Sequence, residues 1–311
     1  MTPANAPFGF INAFKPPGIS STAFGVWVRR AAGASSLGHW GTLDPGASGV
    51  LVLAVGDATR LLPYLPSDDK SYAFELRVGV ATDTADAEGR TIRTSPVPDD
   101  WASRLETVAA SLAGEIEQVP PMYSAVKIGG RPLYKAARAG KTVERAARRV
   151  TIAALGVLGT RGDTARMRVD CSAGTYVRTL CEQIGERLGL PAHLVSLVRT
   201  RAGPFAIAGS RTPREIARDA ASCTIDPLVV LRLPQTELDS SAAARFAHGN
   251  DVALPDGIAV RADHALAIHV GVLIGVARID DGRLVPVRVL AAGLQNLSLI
   301  HISEPTRQAE I

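Results

Sequence analysis

The stretch GHWGTLDPGASGVLVL, Gly38–Leu53, holds the features from which the rest of the chain is read. Its end runs on as Val50-Leu51-Val52-Leu53-Ala54-Val55, short, apolar and β-branched, which predicts a core strand. In front of it, Leu43-Asp44-Pro45-Gly46 is turn chemistry. Pro45 pre-sets its own φ, and the Asp44 side chain is able to bond the backbone that follows. From this window alone, Asp44 reads first as a turn-holding residue.

Outward from that strand, Phe8–Phe14 is read as a first strand, ended by Lys15-Pro16-Pro17-Gly18. Ser20 or Ser21 then caps a helix through Val26, Trp27 and Val28 to Arg29-Arg30. SYAFELRVGV alternates, so Tyr72, Phe74, Leu76, Val78 and Val80 are expected on one face of a strand. DTADAEG follows as a loop. Pro98-Asp99-Asp100 opens a helix with Leu105, Val108, Ala109 and Leu112 on one side and Gly114 closing it. ARMRVDCSAG is another strand, with Ala165, Met167, Val169 and Cys171 inward. Val177, Leu180, Cys181, Ile184 and Leu188 mark an amphipathic helix. Beyond Leu233-Pro234, short β runs alternate with Gly, Asp and Pro, which predicts a small β-rich second domain over 236–292. Residues 296–311 continue no pattern and are read as a non-native or disordered tail.

A chain of 311 residues with 46% hydrophobic content allows two domains and a sizeable core. A net charge of +4 permits a nucleic-acid partner without demanding one. The three cysteines are odd in number and lack CxxC spacing, which excludes a disulfide framework or zinc ribbon and fits a reduced cytoplasm. The start, MTPANAPFGFINAF, has no signal-peptide pattern. ALAIHVGVLIGVARI is too short to span a bilayer, so no membrane association is expected. Asp83, Asp86 and Glu88 lack the spacing of a calcium loop, and GVLVLAVGDATR has no phosphate-loop signature. Without a His/Cys cluster either, no metal and no organic cofactor are expected.

One segment departs from the average charge. Lys127–Arg149 holds eight basic residues, among them Lys127, Arg131, Lys135 and Arg138, against Glu144 alone, a local +7. Tyr123 and Tyr134 are interleaved, and Gly129-Gly130 allows a bend. Such a run is either a solvated face or a surface of cations and aromatic platforms for RNA.

GHWGTLDPGASGVLVLAVGDATRLLPYL, KSYAFELRVGVATDTADAEG, VPPMYSAVKIGGRPLYKAARAG and CSAGTYVRTLCEQIGERLG occur in this order. Together they resemble the bacterial TruB-type tRNA pseudouridine-55 synthases, from about Gly9 to Phe205; 236–292 is more weakly similar to that family's PUA-like domain. The resemblance implies an α+β fold: a catalytic domain over 1–233 with a mixed, mainly antiparallel sheet flanked by helices, a basic thumb-like insertion over 127–149, and the PUA-like domain. It implies binding to the T-arm of tRNA, and the chain is expected to be a monomer. One T-loop uridine leaves its stack, is cut from its ribose at N1 and is rejoined through C5.

Residue by residue, Asp44 matches the family's catalytic aspartate, which acts on C1′ as a nucleophile or on C2′ as a base. The turn reading is compatible, because a rigid turn fixes a short carboxylate. Tyr72 matches the tyrosine set against the extruded base, although by pattern alone it is core. Arg178 matches the arginine that holds the aspartate; its local alternative is an exposed ion pair with Glu182. Leu197 matches the apolar lining of the base pocket, and His39 the histidine that holds the base out of the loop. Tyr176, Lys15, Lys127, Arg131, Lys135 and Arg138 complete the expected substrate-binding set. Where the family has a small or hydroxyl residue after the histidine, this chain has Trp40, read as extra stacking on RNA or as a differently packed loop. Two other readings stand beside this one: a pseudouridine synthase for another RNA, such as the guide-RNA relatives, and a non-catalytic tRNA-binding or tRNA-folding protein.

Overall fold

The structure, a computed structural model, describes residues 7–122, 143–255 and 262–290, with the backbone alone at 127–128 and 131–132. The chain opens with β1 (Gly9–Lys15), α1 (Ser21–Ala31), β2 (Leu37–Trp40) and β3 (Ser48–Val55). The unbroken apolar run of β3 has a reason: both of its faces are covered. Leu51, Leu53 and Val55 pack with Phe24 and Val28 of α1, while Val50, Val52 and Ala54 pack with Leu61 and Phe205. The Ser20 side chain accepts from the Ala23 N–H and caps α1.

The expected alternation holds in β4 (Lys70–Val78), where every second residue from Lys70 is buried. Val80 departs from it. Gly79 sits at φ 87° and turns the chain, so Val80 begins β5 (Val80–Thr82), which pairs with β6 (Thr91–Thr94) around the DTADAEG loop. Helix α2 (Trp101–Ser111) stops before Gly114. That glycine, at φ 100°, starts β7 (Gly114–Gln118) instead of closing the helix. A short hairpin, β8 (Lys127–Ile128) with β9 (Arg131–Pro132), precedes β10 (Arg148–Arg161) and β11 (Thr164–Cys171). Then come α3 (Val177–Leu188), β12 (Ala192–Ala202) and β13 (Phe205–Ala206). The side chains of Lys127, Arg131, Lys135 and Arg138 lie outside the described residues, as do Tyr123, Tyr134 and the 296–311 segment.

Nine strands form one sheet in the order β1-β3-β12-β4-β11-β10-β7, with β2 added to β3 and β13 to β12. Every pairing is antiparallel except β3 with β12. At that parallel junction Gly49, φ 103°, meets Arg199, and a Cβ there would stand 2.3 Å from the Arg199 carbonyl oxygen. Only glycine permits this approach. Helices α2 and α3 cover the face bearing Phe74, Leu76, Met167 and Val169. Two short helices, α4 (Pro213–Arg218) and α5 (Pro227–Val230), lead to the second sheet. It comprises β14 (Gln235–Glu237), β15 (Val252–Ala253), β16 (His264–His269), β17 (Val272–Asp280) and β18 (Arg283–Val289), in the order β14-β16-β17-β18-β15. Helix α6 (Ser240–Ala247), absent from the sequence reading, closes its core with Phe246.

Candidate active site

Asp44 lies in the connection from β2 to β3, and that connection is held at many points. The Ser21 hydroxyl donates to the Leu43 carbonyl and accepts from the Leu43 N–H, both at 2.8 Å. The Gly18 N–H donates to the Pro45 carbonyl at 2.9 Å, and the Ala47 N–H to the Asp44 carbonyl at 3.1 Å. Two fully buried cations complete the support. Lys15 Nζ donates to the carbonyls of Ile19 (2.7 Å), Pro16 (2.9 Å) and Pro45 (3.3 Å). Arg199 Nε donates to the Val50 carbonyl at 2.6 Å, Nη2 to Gly41 at 3.0 Å and Nη1 to Thr42 at 3.4 Å. Burial brings the Lys15 pKa down to about 8, with the Asp44 charge working against it. Expected to touch substrate, Lys15 instead lies under the loop, with its ammonium engaged by main-chain carbonyls.

Above the loop stands Arg178, in the first turn of α3, its side chain only 4% exposed. Its Nη2 is 2.9 Å from Asp44 Oδ2 and its Nη1 is 3.8 Å from Asp86 Oδ2; Nη1 also donates to the Thr84 carbonyl at 3.3 Å. One buried guanidinium thus lies between two carboxylates, and the geometry departs from the exposed i,i+4 alternative with Glu182. Asp86 is itself built in: its Oδ1 accepts from the Thr84 hydroxyl at 2.6 Å and the Glu88 N–H at 3.1 Å. Burial pushes the Asp44 pKa above the usual carboxylate range, Arg178 opposes that shift, and the Asp86 charge adds to it.

Two hollows of about 350 and 260 Å³ meet at this pair, sharing Asp44, Arg178 and Leu197 in their walls. The first opens toward the DTADAEG hairpin and includes Asp86 and Glu88. The second holds Tyr72, Tyr176, Lys70 and Arg199. Tyr72 is 7% exposed, and burial raises its phenol pKa while the nearby Arg199 charge works the other way. The structure therefore brings Asp44, Tyr72, Arg178, Tyr176 and Leu197 around one space. His39, half-buried on β2, lines neither hollow; its Nδ1 is enclosed without a partner, and burial followed by Arg199 lowers its pKa. Trp40 is part of the protein's own packing. A Cβ at Gly203 would stand 2.7 Å from its ring, and Lys70 Nζ lies 5.1 Å from the ring centre.

Residues 29–177 match the TruB family pseudouridylate synthase N-terminal domain. Residues 178–223 match the tRNA pseudouridylate synthase B C-terminal domain, and 234–290 the C-terminal domain of pseudouridine synthase II TruB. The tRNA pseudouridine synthase B of Aromatoleum aromaticum is 48% identical over 254 residues, 79% of this chain and 81% of that one. The Pseudomonas syringae pv. syringae protein of the same name is 42% identical over 299 residues, 91% of this chain and 95% of its own. The chain belongs to the TruB pseudouridine synthase family. Among solved structures, a Cbf5-Nop10-Gar1 complex matches with a TM-score of 0.65 at 29% identity, over 91% of this chain and 84% of that chain. An H/ACA RNP bound to a substrate RNA containing 2′-deoxyuridine matches at 0.65 and 26%, over 91% and 85%.

Within this TruB-family chain, the sequence reading passed over Asp86 and Arg199 as site residues. DTADAEG lacks the spacing of a calcium loop and is read as a loop and structural hairpin, and neither reading gives Asp86 a role. Its useful signal was the Thr84-Ala85-Asp86 turn, which aims a carboxylate. Arg199 had a signal too: it directly follows Leu197-Val198 in AHLVSLVRTRA, and an arginine that a central strand buries is costly unless its donors are used.

Proposed function

We propose that this chain isomerises a uridine of tRNA to pseudouridine, acting on position 55 in the T-loop through the Asp44 hollow. The observation that carries the reading is the Asp44 carboxylate, 2.9 Å from a buried arginine, on a wall shared with Tyr72 and Leu197. Extruding the base costs a few kcal/mol, which contacts to base and backbone must offset. The uracil then lies between the Tyr72 ring and Leu197. Asp44, held by Arg178, acts at the ribose while the N1–C1′ bond breaks, on C1′ as a nucleophile or on C2′ as a base. The base turns, C5 bonds to C1′, C5 gives up its proton and N1 takes one. Atoms and electrons balance within the nucleotide. A phenol is neutral near pH 7 and burial moves the Tyr72 pKa further up, so its hydroxyl serves as a relay near C5 and not as a standing phenolate.

For tRNA over a guide-RNA substrate, the support is relatedness: the tRNA pseudouridine synthase B relatives are 42–48% identical, the Cbf5-type structures 25–29%. The three cysteines, free and buried, are in keeping with a reducing cytoplasm, and a monomer acting on the T-arm is part of the same proposal. Among the described residues no helix is long and apolar enough to cross a membrane. The division into 1–233 and 236–292 is supported by the two separate sheets. The test is tritium release from unmodified tRNA labelled at uridine C5. Wild type should release label from position 55, and Tyr72→Phe should bind tRNA while turning over orders of magnitude more slowly. Binding without release by the wild type would favour the non-catalytic reading; release from another RNA alone would favour the other-substrate reading.

A further inference from the structure

Three cations line the Tyr72 hollow, and their partners differ in kind. Arg178 is bound to two carboxylates and Arg199 to three main-chain carbonyls. Lys70, two residues before Tyr72 on β4, has a side chain 9% exposed. Its Nζ donates to the Asp68 carbonyl at 2.9 Å, pairs with Asp68 Oδ1 and lies 5.1 Å from the Trp40 ring centre. Trp40 is fixed in turn against Gly203. The cation is thus locked in place on an aromatic platform. Its counter-ion is not: the Asp68 side chain is 48% exposed, and the Ser67 hydroxyl ties Asp69 and not Asp68. An anion entering the hollow can take the place of Asp68 while the ammonium stays paired, and a buried ammonium requires some partner throughout.

We propose that Lys70 is a phosphate-binding residue that takes a phosphodiester of the extruded nucleotide, with Asp68 as the anion it exchanges. The proposal rests on RNA being the substrate of the hollow. A phosphodiester is the one anion that must accompany every nucleotide into this space, and a lysine binds it as a point charge. Trp40 then has a task that neither of its sequence readings included: it holds the Lys70 ammonium at the wall of the hollow.

The test uses the full-length protein and a T-arm stem-loop RNA, with a neutral methylphosphonate placed in turn at each of the three linkages around the target uridine. Against all-phosphate RNA, Lys70→Gln should weaken binding about tenfold and reduce the slope of log affinity against log salt by about 0.7, the single-strand value for one phosphate. At one methylphosphonate position, Lys70→Gln and wild type should bind alike, which is the signature of coupling. Asp68→Asn should bind natural RNA several-fold more tightly, and Lys70→Arg should retain most of the affinity. An equal loss by Lys70→Gln on every RNA with an unchanged slope would overturn the proposal in favour of a packing role. If Lys70→Gln does not fold, Asp68→Asn decides: affinity no higher than wild type overturns it. Tritium release by wild type from the same stem-loop keeps the two readings apart. Release without coupling removes Lys70 alone, and no release removes the functional reading beneath it.

Discussion

The two sheets bury different things. Every buried lysine and arginine among the described residues, Lys15, Lys70, Arg178 and Arg199, lies in the nine-stranded half. In the five-stranded half the buried polar side chains are Thr236 and His269, around a core of Phe246, Leu238, Ile274 and Leu284. Buried charge costs stability unless it is fully paired, so its concentration around one loop marks where the fold gives up stability for chemistry. The comparison becomes testable as a contrast: substitutions near Asp44 should always reach turnover, whatever they cost in stability, and those in the second core should move stability and leave turnover nearly unchanged.

The largest effect should come from the carboxylate. Asp44→Asn keeps the shape and loses the charge, so turnover should fall by roughly three orders of magnitude or more while RNA affinity stays within a few-fold. Arg178→Lys should come close behind, because a point charge cannot hold Asp44 and Asp86 with a planar fork. Single-turnover tritium release and filter binding check both. Near wild-type turnover in either would break the contrast at its strongest point.

Arg199→Lys should come next. The charge survives, but the donors to Gly41, Thr42 and Val50 cannot all be replaced. We expect turnover to fall about ten- to a hundredfold, with a stability loss of about 1–3 kcal/mol from unsatisfied carbonyls. Because Arg199 acts through the loop, the loss should appear in the catalytic rate and not in RNA affinity. Denaturant melts beside single-turnover kinetics separate the two.

These residues also show what was legible in the sequence. The alternation through Tyr72, Phe74, Leu76 and Val78 and the helix from Val177 to Leu188 could be read because one side of each meets the core and local periodicity reports it. The Asp44 turn was readable from Pro45 and Gly46. Strand β10 was not, because its 14 residues carry two register shifts against β11 that scatter the alternation. Asp86 and Arg199 come to the site through pairings across long sequence separations, 149 residues for Arg199 with Val50, and no local pattern encodes those. Helix α6, SSAAARFA, offered one large apolar side chain among small alanines, too little to mark a face; packing of Phe246 supplies what periodicity lacked.

A smaller effect tests the electrostatics of the pair. Asp44 must be ionised to act, and its pKa is raised, first by burial and in part by the Asp86 charge. Turnover should therefore fall on the acid side at a pH above that of an ordinary aspartate. Asp86→Asn removes one of the raising influences, so the acid limb should move to lower pH. On the alkaline side, Lys15 has a native pKa of about 8, below its unfolded value of 10.5, so the native state releases this proton first. Its linked contribution to stability then rises between pH 8 and 10.5, while the neutral amine has two N–H groups for three carbonyls. Turnover should fall above pH 8 without a matching loss of stability from this group. An acid limb that stays in place in Asp86→Asn would show that the second carboxylate does not tune the first.

The smallest effect on chemistry should come from the other side of the comparison. Phe246 is fully buried in the second core, and its ring lies against Gly275, where a Cβ would stand 2.6 Å from Cε1. Phe246→Ala removes that ring and leaves a cavity, a change that costs about 3–5 kcal/mol in cores of this kind. The five-stranded sheet also packs on the first one: Leu266, Ile268 and Val276 share a cluster with Val50, Val52 and Leu61, and Arg60 donates to the Val289 carbonyl at 2.6 Å. Part of the stability loss should therefore reach β3, the strand that follows Asp44. The loop itself is held by hydrogen bonds from Ser21, Lys15 and Arg199, and of the carbonyls they engage only that of Val50 belongs to the shared cluster. Below its lowered melting temperature, Phe246→Ala should therefore turn over bound RNA within about threefold of wild type. Thermal melts paired with single-turnover rates at 10–15 °C below the variant's midpoint measure both quantities on one sample. A rate loss as large as that of Arg199→Lys would mean that the second core sets the geometry of the Asp44 loop, and the two halves would then have to be treated as one catalytic unit.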